Sequence, residues 1–211
     1  MHGKKRGRLR RMRPETIEQI FQSAVEVFAH SGFERAKMDE IARRAGVAKG
    51  TIYYHFKGKE ELFVALMNDG MERLMDRLRQ RMEETEDPVQ QLERLLEGLV
   101  EYLYHNGTFA KLLISETWGS IERQHEFRAR IRELVELIED VLDRGVSGGS
   151  FLPVKGHDTA VAIFGAASVA VLQDLFRDPD EKPDPEERIG EVADHLKQLI
   201  YKGVVVSRQG K

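Results

Sequence analysis

With 211 residues, no cysteine, and 41% hydrophobic and 33% charged residues, the chain is long enough to bury a core and too ordinary in composition for disorder or fibrous order. The lack of cysteine excludes disulfides, Fe–S clusters, thiolate zinc sites and cysteine nucleophiles, and it suits a reducing cytoplasm. The net charge of −3 conceals a split: residues 1–58 carry 13 Lys/Arg against six Asp/Glu while the remainder is net acidic, so a polyanion is drawn to one end only.

The tail Lys4 to Arg13 holds seven basic residues and no acid. It could enter a minor groove, add nonspecific phosphate attraction, or remain a solvated arm. Ile17, Ile20, Phe21, Ala24, Val25 and Phe28 then recur at helical spacing, with Pro14 suited to a first helical position and Gly32 to the stop, predicting a helix from about Pro14 to His30. Met38–Ala45 and Lys49–Phe56 read as two short helices, separated by too little chain for anything but a tight turn. Phe63, Met67, Met71, Leu74, Leu78 and Met82 form a stripe at steps of three and four, predicting a long helix.

Asp87-Pro88 reads as N-cap and first position of the next helix, whose buried face is Leu92, Leu95, Leu99 and Leu103 and whose end lies near Asn106-Gly107. A short apolar segment, Phe109 to Trp118, follows. Ser120 is the expected cap of a helix carrying Phe127, Ile131, Leu134 and Ile138 and stopping at Gly145. Asp158 is the expected cap of the next, and Asp184-Pro185 opens the last, with Ile189, Val192, Leu196 and Leu199 running up to Gly203. The longest mostly apolar run, Ala160 to Leu172, falls short of the roughly 18–20 residues that cross a bilayer, so no membrane span is expected, nor a signal peptide. Val204–Val206 is β-prone but has no visible partner, so no sheet is built on it. The expected fold is all-α, about nine helices, with a basic tail (1–13), a helix-turn-helix domain (14–58), a larger helical domain (59–203) and a C-terminal tail (204–211).

The strongest chemical signal lies between Lys37 and Phe56. A helix-turn-helix needs a small residue where its helices cross, a turn residue tolerant of positive φ, and an apolar anchor on the second helix; Ala42, Gly46 and Ile52 supply them. The outer face of the second helix then carries Lys49, Thr51, Tyr53, Tyr54 and His55, donors able to reach phosphates and base edges, and Gly50 permits close approach.

Gly32-Phe33, Ile41-Ala42-Arg43-Arg44-Ala45-Gly46-Val47, Lys49-Gly50-Thr51-Ile52-Tyr53-Tyr54-His55-Phe56 and Lys59-Glu60-Glu61-Leu62 together resemble the DNA-binding signature of the TetR (tetracycline-repressor) family. The resemblance implies that the helix around Thr51 enters the major groove, that Tyr53, Tyr54 and His55 help hold phosphates, that Lys59 reaches phosphate from the start of the fourth helix, and that Phe56 is core. Where the family often has paired threonines this chain has Ala36 and Lys37, leaving Lys37 as the phosphate contact there. Ala48 and Gly58 stand where serine caps are common, leaving the amides behind them to phosphate or water.

The resemblance also implies a homodimer on a pseudo-palindromic operator and an apolar small-molecule effector in the C-terminal domain. Ala162, Gly165, Ala166 and Val169, with Ile189, Val192, Leu196 and Leu199, are the expected dimer interface; Tyr102, Phe109, Leu113, Trp118, Phe127 and Phe164 are the expected effector-site residues. His105, Glu116 and His125 lack metal-ligand spacing, so neither metal nor cofactor is expected. The absence of a Gly-x-Ser-x-Gly elbow, a phosphate loop and clustered ligands speaks against an enzyme, and the large acidic half against a nonspecific architectural binder.

Overall fold

The computed structural model describes the backbone of residues 13–115, 121–178, 180 and 184–205, and the side chains of these other than 114, 115 and 121–127. Most of the basic tail, Glu116, Trp118, the expected cap Ser120 and the side chains of His125 and Phe127 lie outside the described residues.

Nine helices are present among the described residues: α1 (Pro14–Arg35), α2 (Met38–Arg44), α3 (Lys49–His55), α4 (Lys59–Met82), α5 (Pro88–His105), α6 (Gly107–Ser115), α7 (Ile121–Ser147), α8 (Gly156–Leu175) and α9 (Pro185–Val204). The chain divides into two compact units, one of residues 1–70 and 111–127, the other of 71–110 and 128–211.

In the first unit α1 packs on α2 and α2 on α3. Ile20, Ala24, Val27 and Phe28 of α1 are buried with Ile41, Ile52, Leu62 and Leu66. Phe28, Phe33 and Phe63 form a mutual cluster with every centroid separation between 5.3 and 5.5 Å, two of its three pairs edge-on, the geometry ring quadrupoles favour. The regular path of the first helix stops at Gly32, as the sequence predicts. Gly32 takes φ 72, ψ 157 and breaks the helical path, but Phe33–Arg35 add a further turn, closed by the Ala36 amide donating to the Gly32 carbonyl at 3.1 Å.

The turn after α2 is a Schellman closure: Val47 N donates to Ala42 O at 3.0 Å and Gly46 N to Arg43 O at 3.3 Å. It requires a left-handed residue at its hinge, and Gly46 takes φ 66.

In the second unit α5 packs against α8 and α9, and α8 against α9. Its core joins Leu92, Leu95 and Leu96 of α5, Ile138, Val141 and Leu142 of α7, Ala160 and Ile163 of α8, and Ile200 of α9. Asp87 caps α5 by accepting from Val89 N at 3.0 Å, and Asp184 caps α9 from Glu186 N at 2.8 Å, as the Asp-Pro pairs predict.

Three local expectations are corrected. Helix α7 runs past Gly145 to Ser147, and the left-handed glycine is Gly149 (φ 75). Gly145 is instead where Phe151 folds back onto the helix, for a Cβ there would lie 2.0 Å from the ring. Helix α8 begins at Gly156, with Lys155 at the cap position and no side-chain cap, so Asp158 sits in the first turn, where its charge still suits the positive helix end. The β-prone end has a partner after all: Val205 forms an isolated antiparallel bridge with Phe151, and Leu152 N donates to Val204 O at 2.7 Å.

The apolar run of α8 extends into a 20-residue helix that is long and apolar enough to cross a membrane by length and composition. Ala160, Ile163, Ala167 and Val171 of this helix are nevertheless buried, so it serves as a core helix of its unit.

Candidate nucleic-acid interface

Helix α3 is seven residues long and holds its place through one buried anchor, Ile52, fully excluded from solvent. Its C-terminal end is closed by Phe56, which is buried and meets Phe21 at a centroid distance of 6.1 Å. With the inner side pinned, the other side faces outward. Tyr53 and Tyr54 are 43% and 53% exposed, while Thr51 and His55 are half-buried. The His55 and Tyr54 rings meet edge-on at 4.9 Å, which restrains both. Lys37 and Gly50 are also exposed.

Lys49, at the first position of α3, is not loose. Its ammonium donates to Asp39 Oδ2 of α2 at 2.6 Å and lies 5.7 Å from the Tyr53 ring centroid. The hydrogen bond to Asp39, and then its charge, raise the Lys49 pKa above the ordinary lysine value. Both side chains remain largely solvated, so this pair orients Lys49 more than it stabilises the fold. Arg44 on α2 is similarly shared between Glu40 and Glu26, each at 3.4 Å.

Lys59 departs from the outward-facing set. Its ammonium points back at α1, donating to the Phe33 carbonyl at 3.0 Å and the Glu34 carbonyl at 2.8 Å. The residues that sequence placed together on α3 are thus brought together, and Lys59 meets the end of α1. Asp39, which sets the direction of Lys49, was missed by sequence reasoning; an acid in the first turn of α2 has an adequate local reason to be there in the helix dipole alone.

Gly50 carries a specific consequence. Its φ is not left-handed, and beyond its own helix and chain neighbours no atom lies within 4 Å of where a Cβ would sit. The fold therefore does not require glycine. Gly50→Ala is expected to stabilise the isolated protein by up to about 0.5–1 kcal/mol, because alanine loses less backbone entropy in a helix. If the bare backbone is there for close approach to a duplex, the same change weakens binding about tenfold. Thermal melting and fluorescence anisotropy on one preparation test both signs, and unchanged affinity removes Gly50 from the contact surface.

In the second unit, Tyr102 and Phe109 are buried, and Phe164 is half-buried against the core. Leu113, which belongs to the first unit, is also buried. The expected dimer residues divide. Val169 and Leu199 are 60% and 69% exposed, Ala162 is exposed, and Gly165, Ala166 and Ile189 are half-buried. Val192 and Leu196 are instead buried within their own chain, because α9 turns that face toward α5 and α8.

Residues 20–66 match the family described as bacterial regulatory proteins, tetR family, and residues 85–171 match the tetracyclin repressor-like C-terminal domain. The chain is 29% identical over 169 residues to the HTH-type transcriptional activator FasR of Mycolicibacterium smegmatis, covering 80% of this chain and 74% of that one. It is 26% identical over 174 residues to the fatty acid metabolism regulator protein of Bacillus subtilis, covering 81% and 88%. A solved Clostridium perfringens structure, described as a fatty acid metabolism regulator, superposes with a TM-score of 0.79 at 35% identity over 90% of this chain and 100% of that one. The chain belongs to the TetR family of bacterial transcriptional regulators.

Proposed function

We propose that the protein is a ligand-responsive repressor that acts in the cytoplasm as a homodimer on a pseudo-palindromic operator, releases it when an acyl-chain effector binds, and has no catalytic role. Residues 14–58 read the duplex and residues 59–203 sense and dimerise. The observation that carries this reading is the outward face of α3, where Tyr53 and Tyr54 stay exposed on a helix fixed by Ile52, beside Thr51, His55 and an oriented Lys49. The exposed tyrosines present hydroxyls suited to phosphate and sugar, while Lys49 and Thr51 supply base-edge donors. Lys37 at the start of α2 adds a cation on the same connection.

Two like protomers read two like half-sites, roughly 34–36 Å apart on one face of the duplex. The exposed residues Ala162, Val169 and Leu199 of α8 and α9 supply an apolar patch for the second copy. The effector class is supported by two relatives that carry fatty acid metabolism in their names. Tyr102, Phe109 and Phe164 of the second unit are the residues proposed to meet it.

Selection of bound duplexes from a random pool tests the first half of the reading, and anisotropy of the selected duplex with palmitoyl-CoA, against free CoA, tests the second. A palindromic consensus released by the acyl thioester alone is expected. Failure to enrich any duplex at about 0.15 M salt sinks the regulator reading, and release by free CoA as readily as by the thioester sinks the acyl-chain reading.

A further inference from the structure

We propose that Asp39 is a positioning residue for operator specificity: its carboxylate holds the Lys49 ammonium toward a guanine edge and away from the phosphates. Asp39 lies in the first turn of α2 and Lys49 at the first position of α3, and Lys49 Nζ donates to Asp39 Oδ2 at 2.6 Å. The dipole of α2 accounts for an acid at residue 39, but not for that acid reaching across to the neighbouring helix. A carboxylate on a surface that meets a duplex repels every phosphate alike, so by charge alone it lowers affinity without regard to sequence. What it supplies is control of the cation beside it.

A loose lysine reads sequence poorly. Its ammonium is a point charge on a flexible four-carbon stem, and near DNA it settles on phosphate as readily as on a base. Lys49 is restrained from two sides instead. Asp39 takes one of its three N–H donors, and the Tyr53 ring, one turn further along α3, has its centroid 5.7 Å from Nζ. The two N–H groups that remain match in number the O6 and N7 acceptors that guanine presents in the major groove. The carboxylate also offsets the charge that a phosphate would attract, so the pair presents directed donors and little net field. Beside it the surface is open: Gly50 is exposed, and no atom beyond its own helix and chain neighbours lies within 4 Å of where its Cβ would sit. Both charged partners are themselves largely exposed, so the restraint is mild, about fivefold in the population of the held direction.

The role rests on the regulator reading proposed above. Asp39→Asn keeps the side-chain shape and removes the charge. Anisotropy is measured on the selected duplex, on copies with each half-site guanine replaced in turn by adenine, and on a random duplex. Wild type should lose about tenfold in affinity at one of these guanines, Lys49→Ala should be flat at the same position, and Asp39→Asn should lose only about twofold there. The random duplex should bind Asp39→Asn more tightly than wild type, with a slope of log K against log salt steeper by about 0.9 per protomer, because the released lysine takes a phosphate. In the Lys49→Ala background, adding Asp39→Asn should change discrimination no further, and the melting temperature of Asp39→Asn should stay within about 2 °C of wild type. A guanine preference that survives Lys49→Ala, an unchanged salt slope in Asp39→Asn, or an effect of Asp39→Asn on discrimination that persists without Lys49 each overturns the proposal. Failure to enrich any duplex overturns this role together with the regulator reading, whereas a selected duplex that Asp39→Asn reads as sharply as wild type overturns this role alone.

Discussion

Asp174→Ala is expected to cost about 3 kcal/mol of stability at neutral pH, toward the lower end of what loss of one partner from a buried ion pair costs. Asp174 is only 4% exposed, near the C-terminal end of α8. Its carboxylate accepts from the buried Tyr104 hydroxyl of α5 at 2.6 Å and from Arg188 Nε of α9 at 2.9 Å, with Arg177 Nε at 3.1 Å from the other oxygen. One carboxylate thus ties three helices of the second unit. The two arginines keep access to water and recover part of their hydration when the acid is removed. The Tyr104 hydroxyl does not, and it supplies most of the expected penalty.

The pH dependence has a definite sign. Burial alone would raise the Asp174 pKa, but hydrogen bonds from Tyr104 and Arg188, then the charges of Arg188 and Arg177, outweigh it and hold the carboxyl below its ordinary value. Burial, reinforced by Asp174, pushes the Tyr104 hydroxyl up, so it stays a donor across the working range. A carboxyl depressed in the folded state contributes stability in full above its unfolded pKa, about 3.9, and loses it as pH falls through the lower folded value. The difference in unfolding free energy between wild type and Asp174→Ala should therefore be constant from pH 7 to about pH 5 and shrink below about pH 4. Urea titrations at several pH values measure this, and a difference that grows in acid would contradict the assignment.

Which parts of this were legible in the chain follows from how far each signal reaches. Asp87-Pro88 and Asp184-Pro185 announce helix starts because cap and first position are adjacent, and Gly46 announces its turn because the φ it takes is a property of one residue. Contacts between distant residues carry no such mark. Tyr104 and Asp174 are separated by 70 positions, and either alone reads as ordinary helix surface. Phe151 and Val205 pair across the whole of α8 and α9, so a three-valine tail showed no partner. Lys59 was legible as a conspicuous cation, and its direction was not, because the Phe33 and Glu34 carbonyls it meets lie 26 and 25 positions away. For α9, a single stripe at helical spacing could not divide Val192 and Leu196, turned inward, from Leu199, turned outward; that division depends on which neighbours the helix packs against.

Val169→Asp is expected to convert the proposed dimer to monomer, raising its dissociation constant at least about 10³-fold, with little change in the fold of each chain. In a two-fold interface every substitution enters twice, so the variant brings two carboxylates into one apolar patch, each to be desolvated without a cation and each repelling the other. At about 2 kcal/mol apiece, a modest figure for an unpaired buried charge, the two costs add to about 4 kcal/mol. Val169 is 60% exposed within its own chain, so the monomer has little packing to lose there. Leu196→Asp is the matched control: that side chain is 8% exposed and belongs to its own bundle, so the variant should lower the melting temperature directly. Sedimentation velocity at micromolar protein, with melting curves for both variants, separates the two effects. Operator affinity should fall with Val169→Asp and recover as protein concentration is raised, because the reading heads are intact and only their pairing is lost. A Val169→Asp protein that sediments as a dimer at the same concentration would remove this face of α8 from the interface.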